Sequence, residues 1–82
     1  MPDADVTISA EFLVEPFEEG NPGPHVKAAI DRVAAANLPV EQGPFGNTTR
    51  GTASVVLPAV AEALRAAMAA GATRVTVSVA TE

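Results

Sequence analysis

Residues 6–14 read VTISAEFLV, and this stretch decides the fold. Every second side chain in it is apolar, and most of those between are polar, which is the two-residue alternation of a half-buried β-strand. The apolar face comprises Val6, Ile8, Ala10, Phe12 and Val14. The opposite face carries Glu11 in the middle of the strand, and Pro16 ends the strand. The sequence therefore predicts a first strand with one side in the core.

A helix is predicted after this strand. Pro24 suits the first position of a helix, where its missing N–H is not needed. Apolar residues then recur at i, i+4 and i+7 from Val26, which is the spacing of one helical face. Asn37 is typical of the left-handed residue that stops a helix. The predicted helix spans Pro24–Ala36.

The next segment indicates a hairpin. Two short extended pieces, Val40–Gln42 and Asn47–Ala53, flank the Gly/Pro cluster of residues 43–46. Because Pro44 cannot donate a ladder hydrogen bond, the Val40 strand is expected at an edge of the sheet.

A second helix and a last strand complete the chain. The helix is predicted to begin between Ser54 and Pro58 and to stop at Gly71. Its expected buried stripe consists of Leu57, Val60, Leu64 and Met68. Alternation from Arg74 to Thr81 predicts a strand whose inward-facing residues are Val75, Val77 and Val79.

The order of these elements is βαββαβ. The stable arrangement for this order is an α+β, ferredoxin-like sandwich, with two helices on one face of a four-stranded antiparallel sheet. Right-handed crossovers give the strand order 4-1-3-2. We expect residues 1–5 to form an N-terminal tail and residues 6–82 to form a single domain.

Composition narrows the function classes. The 82-residue chain has a net charge of −5 and only five basic residues, which are scattered, so nucleic-acid binding is not expected. It has no cysteine, which excludes disulfides and thiolate chemistry. No apolar run reaches the roughly 18 residues of a membrane span, and the start of the chain is acidic, which favours the cytoplasm. The alanine- and valine-rich core favours burial of further surface in a homodimer or homotetramer.

Two places could hold a ligand. Glu11 lies on the sheet face away from the helices, where neighbouring side chains would fix its direction. The other place is the loop end of the sheet, where Phe17 and Phe45 are the rings free to stack on a ligand, beside the loop carboxylates Glu18 and Glu19. We expect Glu11, rather than the loop carboxylates, to hold the ligand, because ordering loop side chains costs entropy.

His25 is the single histidine of the chain. Beside glutamates it could act as a general base or as one ligand of a weak metal site, but a capping or merely exposed histidine is the commoner case. No Ser-His-Asp grouping accompanies it, and glycines 43, 46 and 51 do not follow a phosphate-loop pattern. The sequence thus favours a protein that is not an enzyme and needs neither metal nor cofactor.

Three segments, residues 10–16 (AEFLVEP), 20–26 (GNPGPHV) and 43–51 (GPFGNTTRG), resemble the YkoF-like family of small thiamine-binding proteins. The resemblance extends over nearly the whole chain. It implies a ferredoxin-like fold, dimers that pair into tetramers, and binding of thiamine or its hydroxymethylpyrimidine part as a ligand rather than a cofactor. The ligand-binding residues that it implies are Glu11, Phe17, Phe45, Gly46, Asn47, Thr48, Thr49 and Arg50.

Two positions differ from the pattern Gly-Thr-x-Ile/Val-Glu-Gly of that family. Asn47 stands in place of the threonine, and Arg50 in place of the glutamate. A cation at position 50 would repel the thiazolium ring of thiamine if it faced the same pocket.

Two other function classes remain open at this point. One is a ligand-sensing or oligomerisation module with the same topology. The other is a small dimeric α/β-barrel enzyme that uses His25 or Glu11 as a base.

Overall fold

The computed structural model describes residues 6–16, 23–43 and 46–82. Six elements follow one another in these residues: β1 (Thr7–Glu15), α1 (Pro24–Ala35), β2 (Glu41–Gly43), β3 (Gly46–Thr52), α2 (Ala53–Ala69) and β4 (Arg74–Thr81).

The four strands form one antiparallel sheet in the order β2-β3-β1-β4. This is the predicted order read from the other edge, so the expectation of an α+β, ferredoxin-like sandwich is confirmed. The short strand before Pro44 lies at one edge, as predicted, and the last strand lies at the other.

The core lies between the sheet and the two helices. On β1 the side chains of Ile8, Ala10, Phe12 and Val14 are buried, as the alternation predicts. Phe12 and Val14 pack with Val26, Ala29 and Val33 of α1 and with Ala63 and Ala67 of α2. Ile8 and Ala10 pack with Ala53, Val56 and Val60 at the start of α2. Within the described residues, both helices therefore lie on one face of the sheet and none lies on the other.

Both predicted helix stops are confirmed. Helix α1 ends at Ala35, and Asn37 follows with φ 62°, the left-handed conformation expected of a stop residue. Helix α2 ends at Ala69, and Gly71 follows with φ 109°. No helix in the described residues has the length and apolarity to cross a membrane.

The predicted start of α2 was wrong. The helix begins at Ala53, so Pro58 lies inside it rather than at its first turn. Early initiation buries the side chains of Ala53 and Val56 in the core and lets the Ala53 N–H donate to the carbonyl of Val6 at 2.8 Å. These tertiary contacts outweigh the loss of about 3 kcal/mol that a proline inside a helix causes.

The predicted buried face of α2 was also wrong, because the helix is rotated about its axis relative to the prediction. Val60 is buried, but Leu57 is 49% exposed and Met68 55% exposed, and Leu64 is half-buried. The buried positions are Ala53, Val56, Ala59, Val60, Ala63 and Ala67. The helix presents alanines to its neighbours because small side chains permit a close approach between packed elements.

The last strand departs from prediction at one position. Val75 and Val77 are partly buried and pack against the core, as expected. Val79 is 48% exposed, because it lies towards the end of an edge strand where helix cover is incomplete.

Candidate functional site

The candidate site lies on the sheet face opposite the helices, here called the outer face. Side chains alternate across each strand, so those between the buried ones point to this face. The outer face carries Thr7, Ser9, Glu11 and Leu13 of β1, Thr48, Arg50 and Thr52 of β3, Thr76 and Ser78 of β4, and Glu41 of β2.

Glu11 lies at the centre of this face. Its register partners are Thr48 on β3 and Ser78 on β4, and Thr48 is in turn paired with Glu41 on β2. Adjacent strands are about 4.8 Å apart, so Glu11 and Glu41 stand about 10 Å apart with a hydroxyl between them. The row offers two carboxylate acceptors and two hydroxyls that donate and accept.

Gly46 leaves space beside Glu11. It has φ 147°, which L-residues rarely adopt. A Cβ placed there would stand 3.2 Å from the Phe12 carbonyl oxygen and 3.7 Å from Cγ of Glu11. A side chain at this position would therefore press on the Phe12 carbonyl and lie in contact with the side chain of Glu11.

Arg50 lies on the same face, two residues beyond Thr48. Its Nη2 is 3.5 Å from Oε1 of Glu82, and the two side chains are 62% and 35% exposed. An exposed ion pair of this kind contributes about 0–1 kcal/mol. The guanidinium is therefore held only weakly.

A cavity of about 310 Å³ opens at the β2 side of this face, bordered by Pro39, Glu41, Thr48, Thr49 and Arg50. It exists because the ladder between β2 and β3 ends at the Glu41–Thr48 pair. Pro39 has no N–H with which to extend that ladder. Its volume is at the lower end of the range for small-molecule sites, about 300–1,000 Å³.

The residues proposed from sequence are divided between the two sides of the sheet. Glu11, Thr48 and Arg50 point to the outer face, whereas Asn47 and Thr49 are buried towards the helices. The hydroxyl of Thr49 is buried without a hydrogen-bond partner in the described part of the chain. Phe17, Phe45, Glu18 and Glu19 lie outside the described residues.

His25 has a structural contact at the loop end of the sheet. Its Nε2 donates a hydrogen bond to the carbonyl of Pro16, which ties the start of α1 to the end of β1. A Cβ on Gly23 would stand 2.6 Å from the imidazole ring, so the glycine makes room for it. Glu15 and Arg74 are register partners at the same end, as the topology predicts. No cluster of three metal-ligating side chains occurs in residues 6–16, 23–43 and 46–82.

Sequence reasoning missed Glu41. Its place follows from the register of the hairpin, which sets which residues of β2 and β3 face each other. With Gly43 paired to Gly46, Glu41 must pair with Thr48. The missed residue thus supplies the second carboxylate of the site.

Comparison with known proteins agrees with this fold. The sequence profile of a family described as thiamine-binding protein matches residues 10–82. No curated protein matches the chain by sequence.

Solved structures resemble the chain over most of its length. A domain of unknown function from Bacillus cereus is 26% identical with a TM-score of 0.70, the match covering 98% of this chain and 78% of that one. A hypothetical protein from Methanocaldococcus jannascii is 25% identical with a TM-score of 0.68 and coverages of 93% and 78%. A protein from Thermotoga maritima, provisionally assigned to thiamine biosynthesis or salvage, is 19% identical with a TM-score of 0.65 and coverages of 93% and 82%.

Proposed function

The chain belongs to the thiamine-binding protein family, and from this premise we propose that it binds thiamine, or the hydroxymethylpyrimidine part of thiamine, on the outer face of its sheet. The ligand is bound and released unchanged, so the protein is a binding protein rather than an enzyme.

The position of Glu11 carries this proposal. Glu11 lies in the middle of β1, which is an inner strand of the sheet. Its register partners Thr48 and Ser78 flank it on the outer face. The side chain of a strand residue with neighbours on both sides has fewer accessible conformations than that of a loop residue. It therefore loses less conformational entropy when it binds a ligand.

The chemistry of thiamine matches the groups of this face. The aminopyrimidine ring has an exocyclic amino donor, which a carboxylate such as Glu11 accepts, and ring nitrogens, which the hydroxyls of Thr48 and Ser78 can satisfy. The thiazolium ring carries a permanent positive charge, which the carboxylates of Glu11 and Glu41 balance.

Replacement of Glu11 by glutamine tests the proposal. A hydrogen bond to a charged group contributes about 1.5–3 kcal/mol. Glu11→Gln should therefore weaken thiamine binding about tenfold or more in titration calorimetry, since 1.4 kcal/mol corresponds to a factor of ten.

The matched control is Glu62→Gln. Glu62 is an exposed glutamate of α2, 3.8 Å from Arg65, and its substitution changes the net charge equally. It should leave thiamine affinity as in the wild type. An equal loss of thiamine affinity in the two variants would mean that the effect is one of net charge. An unchanged thiamine affinity of Glu11→Gln would place the ligand elsewhere.

Recovery of the ligand after incubation tests whether the protein leaves thiamine chemically unchanged. The His25 ring, one of the two bases considered from sequence, is engaged with the Pro16 carbonyl. Thiamine incubated with the protein should be recovered intact by mass spectrometry. The appearance of separated pyrimidine and thiazole fragments would contradict the proposal.

A further inference from the structure

The cavity at the β2 side of the outer face is bordered by residues of both charges. Of the five described residues that border it, Glu41 is acidic and Arg50 is basic. Thr48 lies between them, as the register partner of Glu41 and two residues before Arg50. Along a strand two residues span about 7 Å, and across to β2 the step is about 4.8 Å. A ligand that fits this cavity best carries a cation at one end and an anion at the other.

The guanidinium of Arg50 reaches across β1 to Glu82, and an anionic ligand in the cavity can draw it away from that partner. The pair is a single contact of 3.5 Å between a largely exposed arginine and a glutamate that is 35% exposed. A phosphate group offers a guanidinium two parallel charge-assisted hydrogen bonds, which are shorter and stronger than this pair. A phosphate near Arg50 therefore displaces Glu82 at little cost.

Residues with hydroxyl groups also lie near Arg50 on the outer face. The side chain of Thr48 lies on this face, and Ser9 is the register partner of Arg50 on β1. The ladder with β2 stops at Thr48, so from Thr49 to Thr52 the described chain gives β3 no ladder partner on that side. Hydroxyl and backbone N–H groups are the usual companions of arginine in phosphate binding.

We propose that the site selects a phosphorylated ligand: Arg50 binds a phosphate ester while the carboxylates of Glu11 and Glu41 face the cationic or amino-bearing ring. Thiamine monophosphate has both groups, a thiazolium cation and a terminal phosphate. The inference rests on the proposed thiamine-binding function and specifies its ligand class. It also gives the arginine at position 50 a role, since a cation that repels a bare thiazolium attracts a phosphate.

Parallel calorimetric titrations of the full chain with thiamine and thiamine monophosphate test the proposal. The wild type should bind the monophosphate about tenfold or more tightly than thiamine, and the difference should shrink as salt is raised, because exposed charges are screened. Arg50→Gln should abolish this preference while it leaves thiamine affinity unchanged or raised. Arg65→Gln, the matched control, removes an exposed arginine of α2 paired with Glu62 and should keep the preference.

Glu82→Gln tests independently whether Arg50 binds the phosphate. Removal of the competing carboxylate should raise monophosphate affinity by a few-fold, up to about fivefold for a surface pair, and should leave thiamine affinity unchanged.

The outcomes separate the two proposals. Equal affinity of the wild type for the two ligands, or a preference that survives Arg50→Gln, overturns phosphate selection but leaves thiamine binding intact. Binding of neither ligand overturns the proposed function and this inference with it.

Discussion

At the scale of single residues, neighbouring side chains of β3 lie on opposite sides of the sheet. Thr48 and Arg50 point to the outer face, whereas Asn47 and Thr49 are buried under the helices. Thr49 is 1% exposed, and its hydroxyl has no hydrogen-bond partner among residues 6–16, 23–43 and 46–82. Two adjacent threonines are therefore in contrasting environments. Substitution of each by valine should affect stability at one position and ligand affinity at the other.

Thr49→Val should stabilise the protein. A buried hydroxyl without a partner costs about 1–3 kcal/mol of desolvation, which valine does not incur. In a domain of this size each kcal/mol corresponds to about 4–8 °C in the melting temperature. Thermal unfolding should therefore show a rise of at least about 4 °C, with thiamine affinity unchanged.

Thr48→Val is the companion variant. Its hydroxyl faces the proposed ligand, so thiamine affinity should fall while the melting temperature changes little. A drop in the melting temperature of Thr49→Val would mean that its hydroxyl has a partner after all.

The sequence was a good guide to residues whose local pattern fixes their direction. Alternation along β1 placed Glu11 on the outer face, and the structure agrees. The opposite orientations of Thr48 and Thr49 could not be assigned, because the segment GNTTRGT has no apolar alternation to show which side is buried. Glu41 was missed because its place depends on the register of the hairpin rather than on its own neighbours in sequence.

At the scale of elements, helix ends could be predicted from local sequence, whereas the buried faces of helices could not. Asn37 and Gly71 stop the two helices through backbone conformations that the residue type itself favours, so the stops could be read locally. The start and rotation of α2 depend on which side chains fit the sheet and α1. Leu57 and Met68 were predicted to be buried because they are more hydrophobic than alanine. Their side chains are larger than those of the alanines that occupy the buried positions.

Pro58 inside α2 makes a stability prediction possible. Pro58→Ala restores the N–H that bonds to the carbonyl of Ser54 and removes the clash of the ring with that carbonyl. The more flexible unfolded chain offsets about 0.4–1 kcal/mol of this gain. Set against the roughly 3 kcal/mol lost to a proline inside a helix, this leaves a net stabilisation of about 2 kcal/mol, which chemical unfolding should measure.

Ser54→Ala, an exposed change in the first turn of the same helix, controls for helix propensity. It should alter the free energy of unfolding by no more than about 0.5 kcal/mol. No gain for Pro58→Ala would mean that α2 is already adapted to its proline.

At the scale of the whole molecule, we propose that the chain self-associates. Its core consists largely of alanine and valine, and β4 is an eight-residue strand at the sheet edge. An edge strand presents unpaired N–H and C=O groups to which a second copy can add. Light scattering over a concentration series should give a mass of a dimer or tetramer rather than the 8.3 kDa of one chain.

Two lysine variants test whether β4 forms the contact. Val79→Lys places a charge on the edge strand, a common means of preventing edge pairing, and should reduce the mass to that of one chain. Leu57→Lys makes the same change on α2 at a side chain of nearly equal exposure, 49% against 48%, and should preserve the assembly. The reverse result would place the contact on α2, and a mass of 8.3 kDa at every concentration would exclude self-association.

Binding of thiamine on the outer face is tested most directly by titration of ¹⁵N-labelled protein with thiamine, followed through its amide resonances. The largest shift changes should occur at Glu11, Thr48 and Glu41, which share one row across β1, β3 and β2. The exposed residues of α1 and α2, on the opposite side of the sheet, should stay unchanged. Shifts confined to the helices or to the surroundings of His25, or none with millimolar thiamine, would contradict the assignment of the outer face as a thiamine site.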